Sequence, residues 1–296
     1  MTTVPPAEAF EAHRARLFGL AYRLLGSAQE AEDAVQDAYL RFSGADRAAI
    51  EHLGAWLAKT VTNLCLNRLT SARARREQYV GTWLPEPVVT ADGTLGPLES
   101  AERRDQVSLA LLVLLERLTP AERAVYVLRE AFGYAHREIA DVLELSEANC
   151  RQLYRRAALR VAEPEGRFEA APERQADLVA SFVTAAREGD LAALERLLAA
   201  DVIWWADGGG RVTAALRPIE GRDKVVRFLA GISRRFAPDT EFTAAEVNGE
   251  AALVTWAGGT LVAIAVPELR GGLITRVRAV VNPDKLRFAR QQLARV

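Results

Sequence analysis

The sequence predicts a multidomain chain: two all-α modules, the first a helical bundle and the second a helix-turn-helix, followed by an α+β domain. Three observations predict it. Apolar residues recur at helical spacing as far as about residue 162, with one interruption. That interruption, 77 to about 104, holds three Pro and three Gly, which oppose regular structure. From about Pro172 two helical stretches give way to short runs rich in β-branched and aromatic residues. With 296 residues, half of them hydrophobic, there is enough chain for two or three cores.

The elements follow in order. Phe10 to Leu25 is strongly apolar, and Gly26 breaks it. Ala28 to Phe42 carries Val35, Ala38, Tyr39 and Phe42 at i, i+3, i+4 and i+7, a buried stripe, with Glu30, Asp33, Gln36 and Asp37 on the other side. A third helix is expected from about Leu53 to Ala74, its core supplied around Leu57, Val61, Leu64 and Leu66. After the interruption the chain is helical again from Asp105. Thr119-Pro120-Ala121-Glu122 is a capping box with Pro at the first helical position. A shorter linker spans Glu163 to Pro172. Beyond it come helices at roughly 173–187 and 190–199, strand-like runs at 202, 211, 241, 252, 260 and 273, a helix from about Arg222 to Phe236, and a closing helix in PDKLRFARQQLAR.

The stretch Gly133 to Val161 is the most informative. Ile139, Ala140 and Leu143 give a first short helix its apolar face, Glu144-Leu145 turns the chain, and Ser146 is a suitable N-cap for the next helix. In that second helix Cys150, Leu153, Ala157 and Val161 share one side, and Glu147, Arg151, Gln152, Arg155 and Arg156 the other. A helix so divided can lie in a DNA major groove, where Arg and Gln reach base edges and phosphates. An ordinary helical hairpin with a solvated face is the alternative. On the third helix Lys59, Asn63 and Asn67 lie at i, i+4 and i+8 beside Arg68 and lead into Arg73, Arg75 and Arg76. Amides pair with exposed base edges and Arg holds phosphates. Trp56 either stacks on an unpaired base or belongs to the core. The acidic stripe of the second helix is either solvated or docks a basic partner.

Bulk charge is silent, at −1 overall, but 68–76 and 151–160 each hold four Arg and no acid. Cys65 and Cys150 fall at apolar helical positions and read as reduced core residues of a cytoplasmic protein. His13, His52 and His136 are scattered, so no His- or Cys-based metal site is expected. Neither a signal peptide nor a membrane-spanning run is visible.

Together, EAEDAVQDAYLRF (30–42), AWLAKTVTNLCLNRLTSARARR (55–76) and LTPAERAVYVLREAFGYAHREIADVLELSEANCRQLYRRA (118–157) resemble the extracytoplasmic-function (ECF) sigma factors of bacterial RNA polymerase. The resemblance implies sigma region 2 at 8–78, a linker at 79–104, sigma region 4 at 105–163, and no cofactor. It places Glu30, Asp33, Gln36 and Asp37 against core polymerase, at the coiled-coil clamp of its largest subunit. Trp56, Lys59, Asn63, Asn67, Arg68, Arg73, Arg75 and Arg76 would serve the melted −10 element of promoter DNA. Glu147, Asn149, Arg151, Gln152, Arg155 and Arg156 would read the −35 element as duplex. Ala135 departs from the pattern: it stands where many members cap the hairpin's first helix with Ser or Thr, at a typical cost of about 1 kcal/mol.

Residues 172–296 exceed an ordinary ECF factor and resemble the SnoaL-like cone, a fold with an interior pocket. Trp83-Leu84-Pro85-Glu86-Pro87, Asp207-Gly208-Gly209-Gly210-Arg211 and Asn282-Pro283-Asp284-Lys285-Leu286 look like signatures of the SigJ-like ECF subgroup with this fused extension, Arg211 standing where Lys also fits. The subgroup implies a built-in regulator, and the linker is expected to pack against this domain and control the spacing of the two DNA-binding modules. Taken by themselves, DGGG reads as a turn and Asn282-Pro283 as the cap of the last helix. A small-molecule ligand in the pocket is a further expectation. An enzyme reading stays beside these, with Asp201 and Asp207 flanking Trp204-Trp205 as candidate carboxylates and no His after residue 136. A plain DNA-binding regulator using only the hairpin is the third reading.

Overall fold

The computed structural model describes residues 6–91, 95, 107–162, 172–233 and 240–294; side chains at 6, 71–77, 172–174 and 233 lie outside the description. The chain divides into two compact units, residues 1–77 with 92–163, and residues 78–91 with 164–296. The stretch expected as a linker at 79–104 is therefore divided, residues 79–91 belonging to the second unit and the rest to the first.

The first unit opens with α1 (Pro6–Leu25), stopped where Gly26 takes φ +67°. Ser27 then caps α2 (Ala28–Ser43), its hydroxyl accepting from Glu30 N–H. Ala28, Ala31, Ala34, Val35, Ala38 and Phe42 bury one face of α2; Tyr39 is half-buried, edge-on to Phe10 at 5.0 Å. In α3 (Leu53–Glu77) Leu57, Val61, Leu64, Cys65 and Leu69 are core residues; Leu66, expected inside, is only half-buried because the turn places Cys65 and Leu69 on the buried side.

Next come α4 (Leu109–Leu115), α5 (Pro120–Glu130), α6 (His136–Leu143) and α7 (Glu147–Val161). The Thr119–Glu122 capping box forms in full. At α6 only half a box exists: Glu138 accepts from Ala135 N–H at 2.6 Å, while Ala135 has no side chain to return a bond. Glu144 ends α6 in the left-handed region, φ +57°, an uncommon place for a residue with a Cβ. Within this unit α5 packs on α1 and α3, and α6 packs on α3. Arg123, 2% exposed, ties them: its Nε donates to the Arg23 carbonyl at 3.1 Å and its Nη1 pairs with Glu116 at 2.5 Å.

The regular elements of the second unit start with α8 (Pro172–Glu188) and α9 (Leu191–Leu197), the latter capped by Asp190. Then come β1 (Leu198–Asp207), β2 (Ile219–Glu220), α10 (Arg222–Ser233), β3 (Thr240–Val247), β4 (Glu250–Ala257), β5 (Thr260–Arg270), β6 (Leu273–Val280) and α11 (Arg287–Leu293). The sheet is mixed, in the order β2-β1-β6-β5-β4-β3, with β1 and β6 parallel and the remaining pairs antiparallel. Alternation along β1 turns Trp204 toward the apolar core shared with Phe182, Leu253 and Phe228, and puts Trp205 under the Arg278 guanidinium at 5.3 Å. Two expectations fail. RVTAAL at 211 is not a strand: residues 211–218 form a largely exposed loop whose Val212, Thr213 and Ala214 face a cavity instead of pairing. PDKLRFARQQLAR is helical only from Arg287, because Asn282 Oδ1 accepts from Asp284 N–H and holds 282–286 as turns; Asn282 is not the helix cap. Among the described residues no helix is long and apolar enough to cross a membrane.

Candidate functional site

Two surfaces of the first unit carry the polar residues singled out above. On α7, Cys150, Leu153 and Ala157 are buried and Val161 half-buried, which turns Asn149, Arg151, Gln152, Arg155 and Arg156 outward. The inward side is fixed by the hairpin: Ile139, Ala140 and Val142 of α6 are buried, while Leu143 is half-buried. Two of the outward residues are engaged within the unit. Arg151 pairs with Glu147 one turn back at 2.5 Å, and Arg156 lies 3.3 Å from Glu122 of α5. Glu122 also holds Arg160 at 2.5 Å. Burial opposes ionisation of Glu122, but bonds from the Thr119 N–H and hydroxyl and the Arg160 and Arg156 charges outweigh it and lower its pKa.

The other surface is formed by α2 and α3. Asn63 is half-buried and Asn67 exposed. Arg68 does not stand free beside them: it donates to Asp37 at 2.6 Å and to the Glu30 carbonyl at 2.7 Å, joining the acidic stripe to the amide stripe. Lys59 is turned to the helix-turn-helix, donating to the Asp141 carbonyl at 3.1 Å and pairing with Glu144 at 3.2 Å. That arrangement complements the carbonyl end of α6. Trp56 is half-buried against Phe42, ring centroids 6.2 Å apart. Arg73, Arg75 and Arg76 belong to the end of α3, and their side chains lie outside the described residues. Asp33 and Gln36 are exposed, and Leu40, 62% exposed, continues their row one turn on. Sequence reading passed over Leu40, although 33, 36/37 and 40 share helical spacing.

The second unit holds the most elaborate polar site. Asp207, fully buried at the end of β1, accepts from three donors: Tyr79 hydroxyl at 2.5 Å on one oxygen, and Leu84 N–H and Lys285 Nζ, each at 2.7 Å, on the other. Lys285 also donates to the Leu84 carbonyl at 2.5 Å, and its ammonium lies over the Trp83 ring at 4.2 Å and the Tyr79 ring at 4.6 Å. Asn282 donates to the Tyr79 hydroxyl at 2.9 Å, and the Val281 and Asn282 amides close on the Asp207 carbonyl. Gly209 is required here: a Cβ would sit 2.2 Å from Asn282 Nδ2 and 2.6 Å from the Tyr79 oxygen, at φ +56°. The three motifs thus meet at one latch. Pro85 and Pro87 are buried, Glu86 is half-buried, and Arg211 makes an exposed 3.0 Å pair with Asp284. Burial, then the bond to Asp207, raises the Tyr79 pKa, so the phenol stays a donor.

Beyond the motif the same segment is stitched to the hairpin β3–β4 and to α11. Val88 exchanges bonds with Asn248 and Val89 with the Gln292 amide, while Thr90 donates its N–H and hydroxyl to Glu246. Tyr79, Asn248 and Gln292 escaped sequence reading; only their distant partners give them a role. The acid–base reading loses its candidates: Asp201 is exposed, and every carboxylate oxygen of Asp207 is already bonded. Beside the latch lies an apolar cavity of about 480 Å³, lined among others by Trp204, Ala206, Phe228, Leu253, Pro283 and Leu286.

The same order of parts appears in known proteins. The chain matches Sigma-70 region 2 over residues 9–75, Sigma-70 region 4 over 108–161 and a SnoaL-like domain over 179–279. It is 38% identical over 287 residues to the ECF RNA polymerase sigma factor SigJ of Mycobacterium tuberculosis, covering 93% of this chain and 91% of that protein. A probable ECF RNA polymerase sigma factor, SigI, from the same organism is 32% identical over 295 residues, covering 98% and 97%. The crystal structure of the M. tuberculosis SigJ superposes with a TM-score of 0.74 at 36% identity, covering 95% of this chain and 98% of that one. These relatives are transcription initiation factors rather than enzymes. With two sigma regions in order and relatives matched along nearly its whole length, the chain belongs to the extracytoplasmic-function family of RNA polymerase sigma factors.

Proposed function

We propose that this sigma factor meets core polymerase through Glu30, Asp33, Gln36 and Asp37, with Leu40 as an apolar contact in the same row. It reads the −35 duplex with Asn149, Arg151, Gln152, Arg155 and Arg156, helped by Glu147. It holds the opened −10 element with Trp56, Asn63, Asn67 and Arg68, joined by Lys59 and by Arg73, Arg75 and Arg76. The observation that carries this is the division of α7, whose apolar side is buried while Gln152 and Arg155 are exposed. Lys59 and Arg68 must exchange their present partners for DNA, a cost that favours the unbound form until promoter and polymerase supply better ones. The work is done in the cytoplasm, without a cofactor.

Regulation belongs to the second unit. Asp207 and Lys285 fasten the segment that follows region 2, so the latch restrains the connection through which region 4 is reached. The neighbouring cavity offers a place for a small molecule to act on it. Run-off transcription from DNA upstream of its own gene, with bacterial core polymerase, tests the reading. A discrete transcript dependent on the protein is expected. Asp33→Lys should weaken polymerase binding. Arg155→Ala should lower promoter affinity about tenfold, the loss of one good base-edge contact. No binding to core polymerase would return the protein to the class of plain DNA-binding regulators.

A further inference from the structure

The second unit's cavity, of about 480 Å³, falls in the size range of small-molecule sites. Among the described residues no Asp, Glu, Lys, Arg or His lines it, and the polar side chains there are Thr213, Thr255, Thr260 and the Trp204 indole. A charged ligand would lose its water there and find no counter-charge among these residues. Trp204 is 5% exposed, and among the described residues its Nε1 has no hydrogen-bond partner. Buried indole N–H groups ordinarily have one, and indole can only donate. The missing partner is an acceptor.

The cavity wall is also the back of the latch. Ala206 in the wall precedes Asp207, and Pro283 and Leu286 in the wall flank Asp284 and Lys285. Val212, Thr213 and Ala214, at the lip, directly follow the DGGGR turn, where Gly208 packs so closely that a Cβ would meet Ala214 Cβ at 2.7 Å. Both charged partners of the latch therefore sit one residue away from atoms that a ligand would touch. We propose that the cavity binds a neutral, mainly apolar, ring-containing molecule whose single carbonyl or ether oxygen accepts from Trp204 Nε1, and that its binding tightens the Asp207–Lys285 grip on residues 79–84. The tightening follows from mass action, because the ligand fits only the conformation in which β1 and the 282–286 turns are in place. The control half of this inference rests on the second unit being the built-in regulator; the binding half does not.

The test uses the full chain and 6-propionyl-2-dimethylaminonaphthalene, a neutral naphthyl ketone whose emission moves to the blue in apolar surroundings and back toward the red when its carbonyl accepts a hydrogen bond. Saturable one-to-one binding is expected. Trp204→Phe keeps an aromatic ring and removes the donor, so binding should weaken about fivefold, the size of one net hydrogen bond, with bluer bound emission. Ala263→Trp, at a half-buried lining position, should abolish binding. The anionic 1-anilinonaphthalene-8-sulfonate should not displace the ketone. No saturable binding, binding indifferent to both substitutions, or displacement by the sulfonate would overturn the site. With the ketone saturating, the Leu84 amide should exchange with deuterium several-fold more slowly. Unchanged exchange would overturn the coupling and leave the site standing. Failure of the regulator reading shows elsewhere, as promoter output indifferent to Asp207→Asn.

Discussion

Asp207→Asn isolates the charge of the latch from its shape. The carboxylate serves Tyr79, Leu84 N–H and Lys285 at once. An Asn oxygen can keep the Leu84 and Lys285 bonds, but its amide then faces the Tyr79 hydroxyl, which already accepts from Asn282. The phenol proton is left without an acceptor, and Lys285, 8% exposed, loses its counter-charge. Breaking a buried pair from one side costs about 3–5 kcal/mol. Lys285 retains the Leu84 carbonyl and two aromatic rings, so the lower end, about 3 kcal/mol, is expected. That corresponds to roughly a hundredfold faster exchange of the Leu84 amide through local opening. Hydrogen–deuterium exchange on the full chain reads it, with the Val89 amide, held by Gln292, and the β5 amides as internal references. Lys285→Met added to Asp207→Asn should recover part of the loss, because a neutral pair leaves no stranded charge. Unchanged Leu84 protection would refute the latch. Equal acceleration across β5 would show that Asp207 holds up the domain rather than the segment.

Other consequences are open to measurement. Arg123→Met removes the bond to the Arg23 carbonyl and the ion pair with Glu116, and should lower the stability of the first unit by about 2–4 kcal/mol, read as a shift of its urea midpoint. The depressed pKa of Glu122 gives a pH dependence of definite sign. Its contribution is full above the ordinary value of 4.5 and is lost as pH falls through the lower folded value, so the thermal-midpoint gap between wild type and Glu122→Gln should shrink below about pH 4.5. Gly209→Ala should free the Leu84 amide much as Asp207→Asn does. Gly210→Ala, whose Cβ would come no nearer than 3.3 Å to its closest neighbour, the Val80 side chain, should disturb it less; the reverse order would contradict the packing described.

What the sequence determined by itself was local. Period 3.6 placed the sigma helices, Thr119 to Glu122 spelled its capping box, Ala135 announced a missing hydroxyl, and the sided pattern of 147–161 told which face α7 buries. All of these act across about four residues, so the order of residues suffices to see them. The family resemblance marked the linker motif and the two C-terminal motifs but not the atoms that join them. Tertiary structure decided that Tyr79 and Lys285 reach Asp207 from 128 and 78 residues away, and that Val88 and Val89 find Asn248 and Gln292. It turned Lys59 toward α6, joined Arg68 to Asp37, and made 211–218 the lip of a cavity instead of a strand. Such contacts depend on how β1 registers on β6 and how the helices cross, geometries that no short window of sequence encodes. A buried polar group records only its need for a partner, and the fold chooses which partner answers.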